Sequence, residues 1–234
     1  MTKLEYTAIE SYMQAQMQDS AHDKHHVYRV LNAALDIANH ISAADIDMDV
    51  LVAACLLHDI GREQQFANPN LCHAQIGSEM AYKFLISRRW PENQARHVKE
   101  CIAVHRYRSN SAPVSLEAQI LFDADKLEAC GVIGIARTLI YQGIVAHPIY
   151  IMGDDDEVVV DNKAGDIGDS ASFFQEYNYK LKNVYNSFFT QRAKEIAAKR
   201  QQAAIDFYNS LYDEVSCNYE HGIKKYMLKT TPQS

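Results

Sequence analysis

The sequence predicts an all-α protein, a helical bundle followed by a C-terminal helical extension, and three observations carry that prediction. Apolar residues recur at intervals of three and four almost throughout. Pro, Gly, Asn and Asp breakers punctuate the periodic stretches. Alternation of the strand type is missing except in the short run Val158–Val160.

The elements follow in order. Leu4–Met17 opens the chain, and Val27, Val30, Leu31, Ala34, Leu35, Ala38 and Ile41 then form one apolar stripe. Asp45–Asp49 stands before an apolar helix over Val50–His58. Asn68-Pro69-Asn70 precedes His73–Trp90, and Pro91 opens Gln94–Val104. Ser111–Pro113 precedes Leu116–Leu127, with Val132–Ile140 after it. From His147 to Ser170 the pattern lapses. Pro148, three glycines and the acidic run Asp154–Glu157 describe a long exposed loop, a type that often serves as a lid. Helical patterning resumes over Phe173–Phe189 and from Gln191 to Tyr219, rich in Tyr and Phe, with Thr190 set to cap the second segment. Fraying is expected beyond Tyr219. The chain thus divides into a helical core at 1–146, a loop or lid at 147–170, and C-terminal helices packed on the core at 171–234.

Composition narrows the function. Hydrophobic residues make up 47% of the 234, enough for a core without disulfides. The five cysteines (55, 72, 101, 130 and 217) are scattered and show no Cys-x-x-Cys spacing, which suits a cytoplasmic address. Cys55 and Cys101, set among Val, Ala, Leu and Ile, read as small core hydrophobes. No apolar run approaches the length needed to cross a bilayer core of ~30 Å. Met1–Gln18 carries Glu5 and Glu10 and has no apolar stretch of the signal-peptide kind. A net charge of −7, with Lys and Arg dispersed, argues against binding long nucleic acid. A small anionic substrate remains compatible, because a pocket needs few cations.

Against this background His26, His58, Asp59, His73, His105 and Asp125 stand out. His58-Asp59 closes an apolar helix, so an imidazole and a carboxylate share a buried helix end and require compensation. An isolated pair of this kind is ordinarily satisfied by an Arg and a carbonyl. Two further residues favour a metal: His26 opens the second helix beside its apolar stripe, and Asp125 lies in the apolar helix Ile120–Leu127. Two imidazoles and two carboxylates make an N/O donor set suited to Mn, Mg, Fe, Co or Ni.

These residues carry a resemblance. His22-Asp23-Lys24-His25-His26-Val27-Tyr28-Arg29-Val30, Leu56-Leu57-His58-Asp59-Ile60-Gly61 and Asp123-Ala124-Asp125-Lys126-Leu127-Glu128 resemble, in order, three signatures of the HD superfamily of metal-dependent phosphohydrolases. Gly131–Arg137 and the block Tyr177–Glu214 are similar to a subgroup of small bacterial HD hydrolases. The resemblance implies an HD-domain bundle with metal ligands His26, His58, Asp59 and Asp125, so that His26 is chosen over His22 and His25, and Asp125 over Asp123. Glu128 departs from the Asp usual at its position. One divalent metal is implied and a second stays open. Asp59 is expected to touch both metal and attacking water, and to take the water's proton.

The resemblance gives His73 and His105 either phosphate contact and proton donation or a second metal. Their positions at a helix start and a helix end favour the former. Arg62 is expected at the pocket mouth. Arg29, Lys126, Lys180 and Arg200 are candidate phosphate contacts. The implied substrate is a nucleotide, with nucleoside triphosphates first, or another small phosphate ester. A di-iron oxygenase and a non-catalytic nucleotide sensor are the alternatives, and the aromatic C-terminal helices could form a homo-oligomer interface.

Overall fold

Several of the helices begin where the chain supplies a side-chain cap. The computed structural model describes residues 1–17, 24–41, 46–106, 112–153, 157–161 and 171–230, the last with side chains through 216 and at 222 and 226. His22 and Asp23 of the first signature, Asp45, Tyr107, Arg108, Ser111, Asp154–Asp156 and 162–170 of the expected lid lie outside the described residues. Among those described the chain is all-α; its one β contact is an isolated bridge between Met152 and Val158. No helix among them is long and apolar enough to cross a membrane.

Thr2 and Glu5 form a capping box at the start of α1 (Lys3–Gln16), and α2 follows at Lys24–Ala38. Asp47 caps α3 (Met48–Leu57) by accepting from the amides of Asp49 and Val50. Then come α4 (Arg62–Ala67), α5 (His73–Ser87) and α6 (Glu92–Ala103), the last opened by Pro91. Ser115 caps α7 (Leu116–Leu127), and α8 spans Gly131–Ile144. The helix expected over Phe173–Phe189 is broken. It consists of α9 (Phe173–Glu176), a π turn over Tyr177–Leu181 and a 3-10 turn over Val184–Asn186. The cause is local: the Asn183 side-chain amide donates to the carbonyls of Asn178 and Tyr179, which a continuing helix would claim. Finally α10 runs over Gln191–Thr230, with helical backbone beyond the Tyr219 limit expected from the pattern. Thr190 accepts from the Ala193 amide at its start.

The described residues divide into two compact units. The first comprises Met1–Glu128 and Phe188–Ile196. Its centre is α3, in which Val50, Leu51, Ala53, Ala54, Cys55, Leu56 and Leu57 are all buried, as befits a helix apolar on every side. It packs against α1, α2, α5, α6 and α7. Segment 188–196 is tied into this unit by two contacts. Buried Asp123 of α7 accepts from the Phe189 and Thr190 amides and the Thr190 hydroxyl, and Arg192 pairs with Asp36 of α2 at 2.9 Å.

The second unit comprises Ala129–Ser187 and Ala197–Ser234. Its core holds Ile135, Val158, Phe173, Phe174, Tyr177, Leu181 and Ala204. Phe174 meets Tyr208 and Tyr212 edge-on, at centroid distances of 5.2 and 5.8 Å.

Candidate metal centre

The end of α3 lies among the helices that surround it, so side chains from several directions meet His58 and Asp59. His26 comes from the first turn of α2, His73 from the first residue of α5, His105 from just past α6, and Asp125 from α7. The four histidines and Asp59 are buried, whereas the Asp125 side chain is 18% exposed and marks the side open to solvent.

Two groups of donor atoms result, each able to hold a metal ion: His26, His58 and Asp125 in one, and Asp59, His73 and His105 in the other, with the atoms of each within 4.8 Å of one another. Asp59 spans them. Its Oδ2 is 3.5 Å from His26 Nε2 and 3.6 Å from His58 Nε2, while its Oδ1 is 3.3 Å from His73 Nε2 and 3.5 Å from His105 Nε2. Asp125 Oδ1 is 3.5 Å from His26 Nε2.

Every imidazole is gripped from behind. His58 Nδ1 faces the Cys55 carbonyl at 2.8 Å and His105 Nδ1 the Ile102 carbonyl at 2.7 Å. His73 Nδ1 lies 2.6 Å from Gln65 Oε1, and His26 Nδ1 lies 3.3 Å from Glu128 Oε2. These acceptors assign the ring protons of His58, His73 and His105 to Nδ1 and leave a lone pair on each of their Nε2 atoms. The Nε2 atoms then face one another in pairs, His26 to His58 and His73 to His105, both at 3.3 Å. Lone pairs cannot bond to lone pairs, and Asp59 Oδ2 is buried without a hydrogen bond. A cation between them answers all of these defects, so the donor set fits a divalent ion.

The surroundings set the charges. The His58 ring is pushed from 6.5 to about 4 chiefly by burial, against the pull of Asp59, and His73 is pushed down to about 2, again chiefly by burial. Burial opposes ionisation of Asp59, but Arg62 and His58 outweigh it and hold the carboxyl well below its usual range. A histidine depressed in this way binds fewer protons folded than unfolded. Its contribution to stability is therefore complete above pH 6.5 and is lost as the pH falls toward 4. Chelator-treated protein should lose about 3 kcal/mol from His58 across that interval. Denaturant melts across it provide the check, and a flat profile would contradict this assignment.

Of the cations named from sequence, Arg62 donates from Nε to Asp59 Oδ1 at 3.0 Å. Arg29 is engaged by Glu128 at 2.8 Å, so Glu128 holds both Arg29 and His26. Lys126 lies over the Phe122 ring, 5.1 Å from its centroid. In the second unit, Lys180 pairs with Glu176 and the Arg200 side chain runs against Gly131, whose positive φ of 66° opens α8. The bland alternative for a His-Asp pair is thus present in part, as the Cys55 carbonyl and Arg62. It leaves Nε2 and Oδ2 unanswered. The contact of Gln65 with His73 is not legible in the sequence, because nothing in its spacing shows that α4 turns back to that histidine.

Residues 24–130 match the HD domain family model. YpgQ of Bacillus subtilis, a curated but uncharacterised protein, is 24% identical over 209 residues, covering 88% of this chain and 92% of YpgQ. The crystal structure of YpgQ in complex with ADP superposes with a TM-score of 0.68 at 23% identity, covering 92% of this chain and 97% of that one. A predicted HD superfamily hydrolase from an uncultured Thermotogales bacterium superposes with a TM-score of 0.58 at 25% identity, covering 91% and 92%.

Proposed function

We propose, from the premise that residues 24–130 form an HD domain, that this chain is a metal-dependent phosphohydrolase acting on a nucleotide, with nucleoside triphosphates as first candidates. One observation carries the reading: inward-facing Nε2 lone pairs surround a carboxylate whose Oδ2 has no hydrogen bond. The YpgQ–ADP complex supports a nucleotide as the ligand class.

His26, His58, Asp59 and Asp125 would hold the first ion. When bound, a divalent ion supplies hydroxide near neutral pH by lowering the pKa of water from about 15.7 toward about 7, and offers positive charge to a phosphoryl oxygen. The rest falls to the chain. Asp59, kept ionised by Arg62, is the base that would receive the proton of the attacking water. Glu128 fixes the His26 ring, and the Cys55 carbonyl fixes His58, so neither ligand has to reorient. Asp125, on the solvent side, borders the approach of the phosphate. His73, neutral through burial, offers a lone pair rather than a proton, which favours a second cation between His73, His105 and Asp59 over the donor role expected from sequence.

The test is a screen of nucleotides and phosphate esters supplemented in turn with Mn, Mg, Fe, Co and Ni, with phosphate and pyrophosphate measured separately. Turnover of nucleoside triphosphates that chelator abolishes and metal restores is expected. No turnover of any phosphate compound with any of the metals would sink the proposal. The second donor group gives the di-iron oxygenase reading its one support. Anaerobic iron loading decides against it if no optical band develops on exposure to oxygen.

A further inference from the structure

We propose that Arg62 is a positioning residue that keeps the second cation site weaker than the first, by holding a guanidinium on the carboxylate oxygen which that site needs. The inference rests on the metal reading above and concerns how the two donor groups differ.

The oxygens of Asp59 are not equivalent. Oδ2, on the side of His26 and His58, accepts no hydrogen bond. Oδ1, on the side of His73 and His105, accepts from Arg62 Nε at 3.0 Å. Among the described residues the first group also has Asp125 as a carboxylate of its own, whereas the second has only its share of Asp59. Their anchors differ in the same sense. Carboxylate Glu128 stands behind His26 and makes that ring more basic, while the neutral amide of Gln65 stands behind His73. Charge therefore ranks the first group above the second, and the Arg62 guanidinium is a repulsive element that one substitution can remove.

Backbone and side chain are both set for this role. The Arg62 amide donates to the Asp59 carbonyl at 3.1 Å as α4 begins, which aims the side chain back at the carboxylate three residues earlier. That side chain is 27% exposed, so it can swing into water when a second ion arrives. One ion is then the resting state, and the second enters against Arg62.

Equilibrium dialysis and calorimetric titration with Mn(II), read alongside electron paramagnetic resonance, test this on the full chain. The parent should take up one ion tightly and a second at least about ten-fold more weakly. Arg62→Gln should tighten the second ion by about 10- to 100-fold, the scale on which outer partners of a ligand act. Its exchange-coupled two-manganese spectrum should appear at correspondingly lower Mn(II), with the first ion unchanged. Arg62→Lys, which keeps the charge, should behave like the parent. An unchanged or weakened second ion in Arg62→Gln would overturn the proposal. So would two ions of equal affinity in the parent, a result that needs no variant. A parent that binds no ion at all would instead overturn the metal reading itself.

Discussion

Asp59→Asn is expected to lower phosphohydrolysis by roughly 10²- to 10⁴-fold while leaving the ion-free protein about as stable as the parent, the lost pairing with Arg62 being offset by the new amide donor. The two halves of that result have one origin. Asp59 places an oxygen toward each pair of imidazoles, and its Oδ2 is buried with no donor. Asparagine removes the charge that would bind cations and accept a proton from water. In exchange, its amide can donate to a bare Nε2, correcting in the ion-free state a defect that the carboxylate tolerates for function. Rates at matched metal concentration and thermal melts in chelator give the two readings. Activity within a few-fold of the parent would remove Asp59 from the centre of the mechanism. A large loss of ion-free stability would mean that its carboxylate serves mainly to hold Arg62.

Gly61→Ala is the second large effect, and it acts through backbone. A Cβ at Gly61 would stand 2.3 Å from the His73 carbonyl oxygen and 2.7 Å from the Gly77 nitrogen, and neither can rotate away. The loop after His58-Asp59 thus lies directly on the first turn of α5, which carries His73. Overpacking of this kind costs typically ~1–3 kcal/mol, or several degrees of melting temperature for a chain of this length. Hydrolysis should fall as well, because the group displaced is the backbone of His73. Gly77→Ala should cost less, since its Cβ would be 3.2 Å from the Gly61 nitrogen. Gly143→Ala, with nothing within 4 Å, should be neutral or slightly stabilising. The order of the three melting temperatures is the measurement, and equal losses at 61 and 143 would refute the tight crossing.

Much of the helical fold was legible because helical period and breakers are local properties. The stripe of α2, the apolar run Val50–Leu57 of α3 and Pro91 before α6 can each be read within a few residues. The ordered His, His-Asp and Asp signatures were legible too, since the resemblance singles out His26 and Asp125 from nearby His25 and Asp123. The structure bears on that choice physically: buried Asp123 faces Thr190, and Asp125 faces the imidazoles. What stayed hidden depends on distant partners. Arg29 and Glu128 are 99 residues apart, and nothing near either one foretells their pairing. The short helix α4 has too few residues to show a period, so the place of Gln65 beside His73 is not legible either. The break after Glu176 follows from Asn183 competing for carbonyls in a stretch whose aromatic spacing still reads as helix.

Asp123 has one more consequence, for how such a domain can be cut and transplanted. The segment that matches the HD family ends at residue 130, yet the buried carboxylate of Asp123, just inside that end, takes all three of its donors from residues 189 and 190. Excised at that boundary, the segment would keep every imidazole and carboxylate of the centre. It would also carry, on the helix that bears Asp125, an acid deprived of its partners inside the fold. The unit of inheritance and the unit of folding therefore have different ends. A gene fusion or minimal fragment that respects only the first would inherit the chemistry without the brace beneath it.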